Sequence, residues 1–152
     1  MNAIERILVP TDLSEFAELA MEYALLFRDR FGSRVTLLYA NEPPPTMEIP
    51  EYPLGYYIDN KPESRLRVQE RLRDVALAHA PEGGIETMII DDSPSRAIID
   101  TARRMKADVI IMGTHGRSGW KRAILGSVTE AVLRAGICPV IAVPLTRENS
   151  GS

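Results

Sequence analysis

The chain has little of what secreted and membrane proteins require. It carries one cysteine, Cys138, among 152 residues, so no disulfide can form within it and a reducing compartment is favoured. Its longest apolar runs have four or five residues, whereas a helix that crosses a bilayer needs about 20. The first residues also lack the basic start and long apolar stretch of a signal peptide. These absences predict a cytoplasmic protein without a membrane span.

An excess of positive charge is also missing. The chain has 18 Lys and Arg against 21 Asp and Glu, a net charge of -3, and duplex nucleic-acid binders normally carry a basic surplus. We therefore expect no nucleic-acid partner. The length fits a single globular domain, predicted to span residues 1–146, with residues 147–152 as a polar tail.

Five short apolar runs alternate with four amphipathic stretches. The runs occupy residues 7–9, 35–40, 85–90, 109–112 and 140–143, and Pro10 is expected to end the first. The fourth run is apolar throughout, as in parallel strands that are covered on both faces. This alternation predicts an α/β fold, a three-layer doubly wound five-stranded parallel sheet that is Rossmann-like, with strand order 3-2-1-4-5.

Helix signals lie between the runs. Apolar residues at three- and four-residue steps predict the buried side of the first helix, and they are Phe16, Ala20, Tyr23, Ala24, Phe27 and Phe31. Asp12 and Glu15 are spaced as a capping pair before that helix, and Gly32 should end it. Ser93 is predicted to cap the third helix, with Pro94 as its first residue. The last helix is predicted from Ser127 to Ala135.

Two polar segments follow the strands on either side of the topological switch point. This is the place in such a sheet where the strand order reverses and ligands bind. One is Pro10-Thr11-Asp12, and the other begins at Met112. In the second segment Gly113 and Gly116 allow the backbone to approach a ligand closely. Gly126 and Ser127 start a helix, whose free N–H groups favour an anion. Three cations between them, Arg117, Lys121 and Arg122, suit a polyphosphate.

An alternative interpretation of this helix start is purely structural. Ser127 to Glu130 also reads as a capping box, S-x-x-E, which would serve only to begin the helix. Spacing alone leaves anion binding and capping equally open. No Walker A motif and no dinucleotide fingerprint is present.

The motifs resemble the universal stress protein family over the chain from residue 4 to 143. The ATP-binding members carry glycine, two residues, glycine, nine residues, then glycine and serine or threonine, and Gly113, Gly116, Gly126 and Ser127 match this pattern. The resemblance implies that Pro10, Thr11 and Asp12 border adenine and ribose, that the Ala40 backbone reads the adenine edge and that Met112 packs on the base. It places ribose and phosphate at the glycines, and the phosphates at Gly126, Ser127 and Val128.

The predicted nucleotide site combines these positions with their loop neighbours. Its residues are Pro10, Thr11, Asp12, Ala40, Met112, Gly113, Thr114, His115, Gly116, Arg117, Gly126, Ser127, Val128 and Thr129. The expected ligand is ATP, with Mg²⁺ on its phosphates and no metal ligand from the protein.

Several other residues have two interpretations. His115 is either a proton carrier or a residue that fills space near the ribose, and Asp91 with Asp92 is either a carboxylate pair for a metal or a solvated turn. Cys138 is expected to be a buried, inert thiol. The loop from residue 41 to about 61, rich in proline and tyrosine, is either a lid or partner surface or an insert without a role.

The resemblance predicts a nucleotide-dependent regulatory module of the stress response. The alternative is a slow ATPase or another adenine-nucleotide hydrolase of the same fold. The last strand, residues 140–143, is apolar and is predicted to lie at the edge of the sheet, where unpaired backbone groups favour pairing with another strand. We therefore expect a homodimer through this strand.

Overall fold

The computed structural model describes residues 3–42, 62–115 and 125–144. Its strands are β1 (Arg6–Thr11), β2 (Arg34–Ala40), β3 (Ile85–Ile90), β4 (Val109–Gly113) and β5 (Val140–Val143). All described pairs are parallel and the order is β3-β2-β1-β4-β5. The predicted fold and strand order are confirmed.

Helices cover both faces of this sheet. They are α1 (Glu18–Phe31), which follows a 3₁₀ turn at Glu15–Ala17, α2 (Pro62–His79), α3 (Pro94–Met105) and α4 (Ser127–Ala135). Because side chains alternate along a strand, Ile7 and Val9 face a core shared with α1 and α2, whereas Leu8 faces one shared with α3 and α4. We call these the first and the second core. In the described ranges no helix is long and apolar enough to span a membrane.

The start of the chain departs from the sequence prediction in two ways. Pro10 does not end the first strand, since it lies opposite Leu38 and the strand continues to Thr11. Proline removes a donor but its fixed φ is compatible with extended backbone. Asp12 does not cap α1 either, because its carboxylate accepts hydrogen bonds from the backbone N–H and the hydroxyl of Ser14.

The predicted apolar stripe of α1 is wrong in part. Tyr23 and Phe31 are 47% and 49% exposed, and Met21, absent from the predicted stripe, is buried together with Ala20 and Ala24. The buried residues centre the stripe toward Met21, which leaves Tyr23 on the opposite flank, and Phe31 is the last residue of the helix. Gly32 ends the helix with φ 69°, as predicted.

The other predicted helix boundaries are confirmed. Ser93 occupies the N-cap position of α3, without a side-chain cap hydrogen bond, and Pro94 is the first residue. Helix α4 spans the predicted residues. The boundary proposed at residue 146 and the polar tail lie outside the described residues.

Candidate nucleotide-binding site

β1 and β4 stop pairing before their carboxyl ends, which leaves a gap at that edge of the sheet. β1 stays in register with β2 as far as Thr11 opposite Tyr39, and β4 stays in register with β5 as far as Gly113 opposite Val143. The pairing between β1 and β4 covers only Ile7 with Val109 and Leu8 with Ile110. This is the topological switch point, where open α/β sheets bind ligands.

On the β1 side the chain leaves the sheet through a tight turn. The Thr11 hydroxyl accepts the N–H of Leu13 at 3.0 Å, and the Asp12 carboxylate accepts the N–H of Ser14 at 2.9 Å. Leu13 adopts φ 62°, a left-handed conformation that is uncommon for a residue other than glycine. Arg71 of α2 donates to the Leu13 carbonyl at 3.3 Å, so α2 helps to hold this turn.

On the β4 side two hydrogen bonds attach α4 to the end of the strand, and a third joins that end to β5. The Gly126 N–H donates to the Thr114 carbonyl at 2.9 Å, and the Thr114 N–H donates to the Val143 carbonyl at 3.1 Å. The buried Thr129 hydroxyl donates to the Gly113 carbonyl at 3.0 Å. Thr129 therefore has a structural bond, and its hydroxyl is already committed within the fold.

Gly126 is required by its close approach to the backbone. A Cβ at this position would lie 2.8 Å from the Thr114 carbonyl oxygen, a distance at which the backbone must move. Gly126 is also the N-cap of α4, so Ser127 is the first helical residue. The capping-box interpretation of Ser127 is therefore wrong, and Glu130 instead forms an ion pair with Arg134 at 2.6 Å.

The first turn of α4 presents backbone donors that the helix itself does not pair. Its first intrahelical bond runs from the Glu130 N–H to the Gly126 carbonyl, so the N–H groups of Ser127, Val128 and Thr129 precede the helical ladder. Ser127 is exposed, whereas Val128 packs against the second core. The packing of Val128 and Thr129 fixes the helix while Ser127 faces outward, an arrangement that is compatible with anion binding at a helix N-terminus.

The end of β2 is held by a polar network that sequence reasoning missed. Asn41 donates from its side chain to Asp91 at 2.7 Å, and Arg65 donates to both oxygens of Asp91 at 2.5 and 2.6 Å. The Asn41 bond lowers the pKa of Asp91, burial raises it and Arg65 lowers it again, which leaves the pKa below its ordinary value. The network lies beside Ala40, but Arg65 belongs to an arginine-rich helix where nothing in the sequence distinguishes it.

Other predicted residues fall into three groups. The Met112 side chain is buried in the second core at 5% exposure, and its contact with the base stays a prediction. His115 pairs through Nδ1 with the Thr114 hydroxyl at 2.8 Å, and its Nε2 is buried without a partner in the described part of the chain. Gly116, Arg117, Lys121 and Arg122 lie outside the described residues, as does the loop 43–61.

Asp92 is engaged locally, by the N–H of Ser93 at 2.7 Å and by Arg96 at 3.8 Å. With Asp91 bound to Arg65 and Asn41, the two carboxylates belong to separate contacts. In residues 3–42, 62–115 and 125–144 no cluster of three or more His, Cys, Asp or Glu could hold a metal ion. Burial raises the pKa of the half-buried Cys138 thiol, which favours its inert form.

The parallel sheet and its polar switch point define a Rossmann-like α/β protein. Comparison with known proteins identifies the family: residues 3–144 match the sequence model of the Universal stress protein family, and the chain belongs to it. A curated relative, universal stress protein MJ0531 of Methanocaldococcus jannaschii, is 32% identical over 93% of this chain and 83% of its own.

Solved structures share the fold. The universal stress protein UspA from Lactobacillus plantarum superposes with a TM-score of 0.69 at 26% identity, covering 94% of this chain and 99% of that one. The universal stress protein from Archaeoglobus fulgidus in complex with dAMP gives a TM-score of 0.65 at 20% identity, covering 93% and 98%.

We predict that Thr129 stabilises the α4 attachment through its hydroxyl. Thr129→Val removes the bond from a buried hydroxyl to the half-buried Gly113 carbonyl, so the free energy of unfolding should fall by about 1–2 kcal/mol. Thr101→Val is a matched control, because Thr101 is equally buried at 2% exposure and its hydroxyl has no partner within the described ranges.

Urea denaturation of both variants makes the comparison. The control should be neutral or more stable, since it removes a buried hydroxyl without a bond. Equal destabilisation of the two variants would show that the Thr129 hydroxyl contributes nothing specific.

Proposed function

We propose that this universal stress protein binds ATP at the switch point and acts as a nucleotide-dependent regulatory module of the stress response. The observation that carries the proposal is the start of α4, where Gly126 is held against Thr114 and Ser127 faces outward beside N–H groups that have no partner within the helix. A triphosphate bound there would be stabilised by backbone donors and the helix dipole.

Adenine is the base that the comparisons favour. The related structure from Archaeoglobus fulgidus holds dAMP, and the glycine pattern of this chain resembles that of the ATP-binding members. In our proposal the Asp12 turn and the end of β2 at Ala40 bind the nucleoside, and Gly126, Ser127 and Val128 bind the phosphates. Mg²⁺ would be carried by the phosphates and by water, as is usual for this ion.

Bound ATP is proposed to act as a signal more than as a substrate. The described carboxylates of the two segments are engaged locally, Asp12 with Ser14 and Glu130 with Arg134, which favours binding over activation of water. Slow hydrolysis stays the alternative. The cytoplasmic location and the lack of a nucleic-acid partner stay predictions from composition.

The phosphate site can be tested without disturbing the fold. Ser127→Glu places a negative charge at the first residue of α4, where it favours the helix but repels a phosphate. The ATP affinity measured by calorimetry should fall by about tenfold or more, a cost of about 1.4 kcal/mol, while the thermal midpoint is maintained. The neutral variant Ser127→Gln controls for size and should weaken binding less.

Adenosine supplies the second control, because it lacks phosphate and should bind the parent and Ser127→Glu alike. If Ser127→Glu bound ATP as tightly as the parent, the phosphates would not lie at α4.

We also propose that β5 forms a homodimer. β5 lies at the edge of the sheet and pairs with β4, and family resemblance points to this strand. The carbonyls of Pro139 and Val143 accept bonds from β4, and successive residues of a strand face opposite neighbours. The backbone groups of Val140 and Ala142 therefore face outward, where a second copy could pair with them.

Ala142→Pro tests this interface more cleanly than a change at Ile141, which packs against the first core. The proline removes one outward N–H and leaves the bonds to β4 intact, so light scattering should show a monomer. Ala142→Ser keeps the N–H and should stay dimeric. A monomeric parent, or a dimer that survives Ala142→Pro, would remove β5 from the interface.

A further inference from the structure

The parting of β1 from β4 is not caused by either strand ending. β1 continues with β2 to Thr11, and β4 continues with β5 to Gly113. Only the pairing between the two strands stops, after Leu8 and Ile110. A local cause is therefore needed at the next ladder position.

The backbone directions identify that position. The Arg34 N–H of β2 donates to the Glu5 carbonyl, and the Asp108 N–H beside β4 donates to the Arg6 carbonyl. Because successive residues of a strand face opposite neighbours, Leu8 and Pro10 of β1 face β4, as Arg6 does.

The facing groups of β4 follow from its bonds to β5. The Ile110 N–H donates to Pro139 and the Thr114 N–H donates to Val143, so the intervening backbone of Ile111 faces β1. The ladder bond after Leu8 would run from the N–H of residue 10 to the Ile111 carbonyl. Residue 10 is proline and has no N–H.

We propose that Pro10 is a positioning residue that opens the switch point: by removing this one donor it ends the β1–β4 ladder and leaves room for a ligand between Thr11 and Gly113. The inference rests on the proposed nucleotide site for its functional part. Its structural part, the missing bond to Ile111, stands on the register alone.

Replacing Pro10 should change stability and nucleotide affinity in opposite directions, which distinguishes it from a proline with only a structural role. A residue with an N–H at position 10 would add a ladder bond and close the gap, and a ligand would then have to break that bond. Stability should therefore rise while nucleotide affinity falls, whereas a merely structural proline would lower both when replaced.

Pro10→Ala tests the proposal against Pro94→Ala. Both variants lose the restriction that proline imposes on the unfolded chain. Pro94 is the first residue of α3, where an N–H has no intrahelical partner, so the control gains no ladder bond. Three quantities are measured on the full chain: amide hydrogen exchange at position 10, the urea midpoint, and ATP affinity by calorimetry.

In Pro10→Ala we expect the new amide to exchange as slowly as that of Leu8 and the urea midpoint to exceed that of Pro94→Ala. ATP affinity should fall by about tenfold, the factor that breaking one net hydrogen bond costs, whereas Pro94→Ala should keep the parent's affinity. A rapidly exchanging amide at position 10, or an unchanged ATP affinity in Pro10→Ala, would overturn the inference. A parent that binds no ATP would instead refute the proposed function, and the exchange result would still decide whether Pro10 opens the ladder.

Discussion

The bond from the Gly126 N–H to the Thr114 carbonyl is the contact on which the candidate site depends. At 2.9 Å it brings the first residue before α4 against the chain that leaves β4, and a side chain at Gly126 would not fit there. The contact fixes the direction of the α4 dipole relative to the sheet edge. Thr129 reinforces it from inside the helix by its bond to Gly113. The backbone carbonyls of Gly113 and Thr114 thus position the candidate anion site.

On the other side of the switch point, side-chain contacts hold the ends of β1 and β2. The Thr11 and Asp12 side chains close the turn after β1, and the left-handed Leu13 at its centre is supported by Arg71 of α2. A network of Arg65, Asp91 and Asn41 holds the end of β2 in the same region. Two residues of α2 therefore support the edge proposed to bind the nucleoside, while α4 supports the edge proposed to bind phosphate.

The sheet and the positions of its helices could be predicted because burial imposes strong patterns. The apolar run of β4, buried from Val109 to Met112, and the glycine that ends α1 are such signals. The Asp12 cap was wrong, and the capping box at Ser127 could not be separated from an anion site, because the same residue types serve in turns, caps and helix starts. Which group they bond depends on backbone geometry that spacing does not encode.

The supporting contacts were harder still to predict from the sequence. Leu13 carries no signal for a left-handed conformation, and Arg65 and Arg71 gain their partners only when α2 packs beside strands that are distant in the chain. The sequence pattern assigns Gly126 to contact with phosphate, whereas the structure shows that Gly126 lies close to the Thr114 backbone. Each of these contacts depends on how separate segments of the chain pack together.

Amide chemical shifts measured during ATP titration test the central claim most directly. The account predicts the largest shifts at the amides of Ser127 and Val128 with ATP, much smaller shifts at these two amides with adenosine, and little change at Ser95 in the first turn of α3. Shifts concentrated at α3, or equal responses of Ser127 to ATP and adenosine, would contradict phosphate binding at the start of α4.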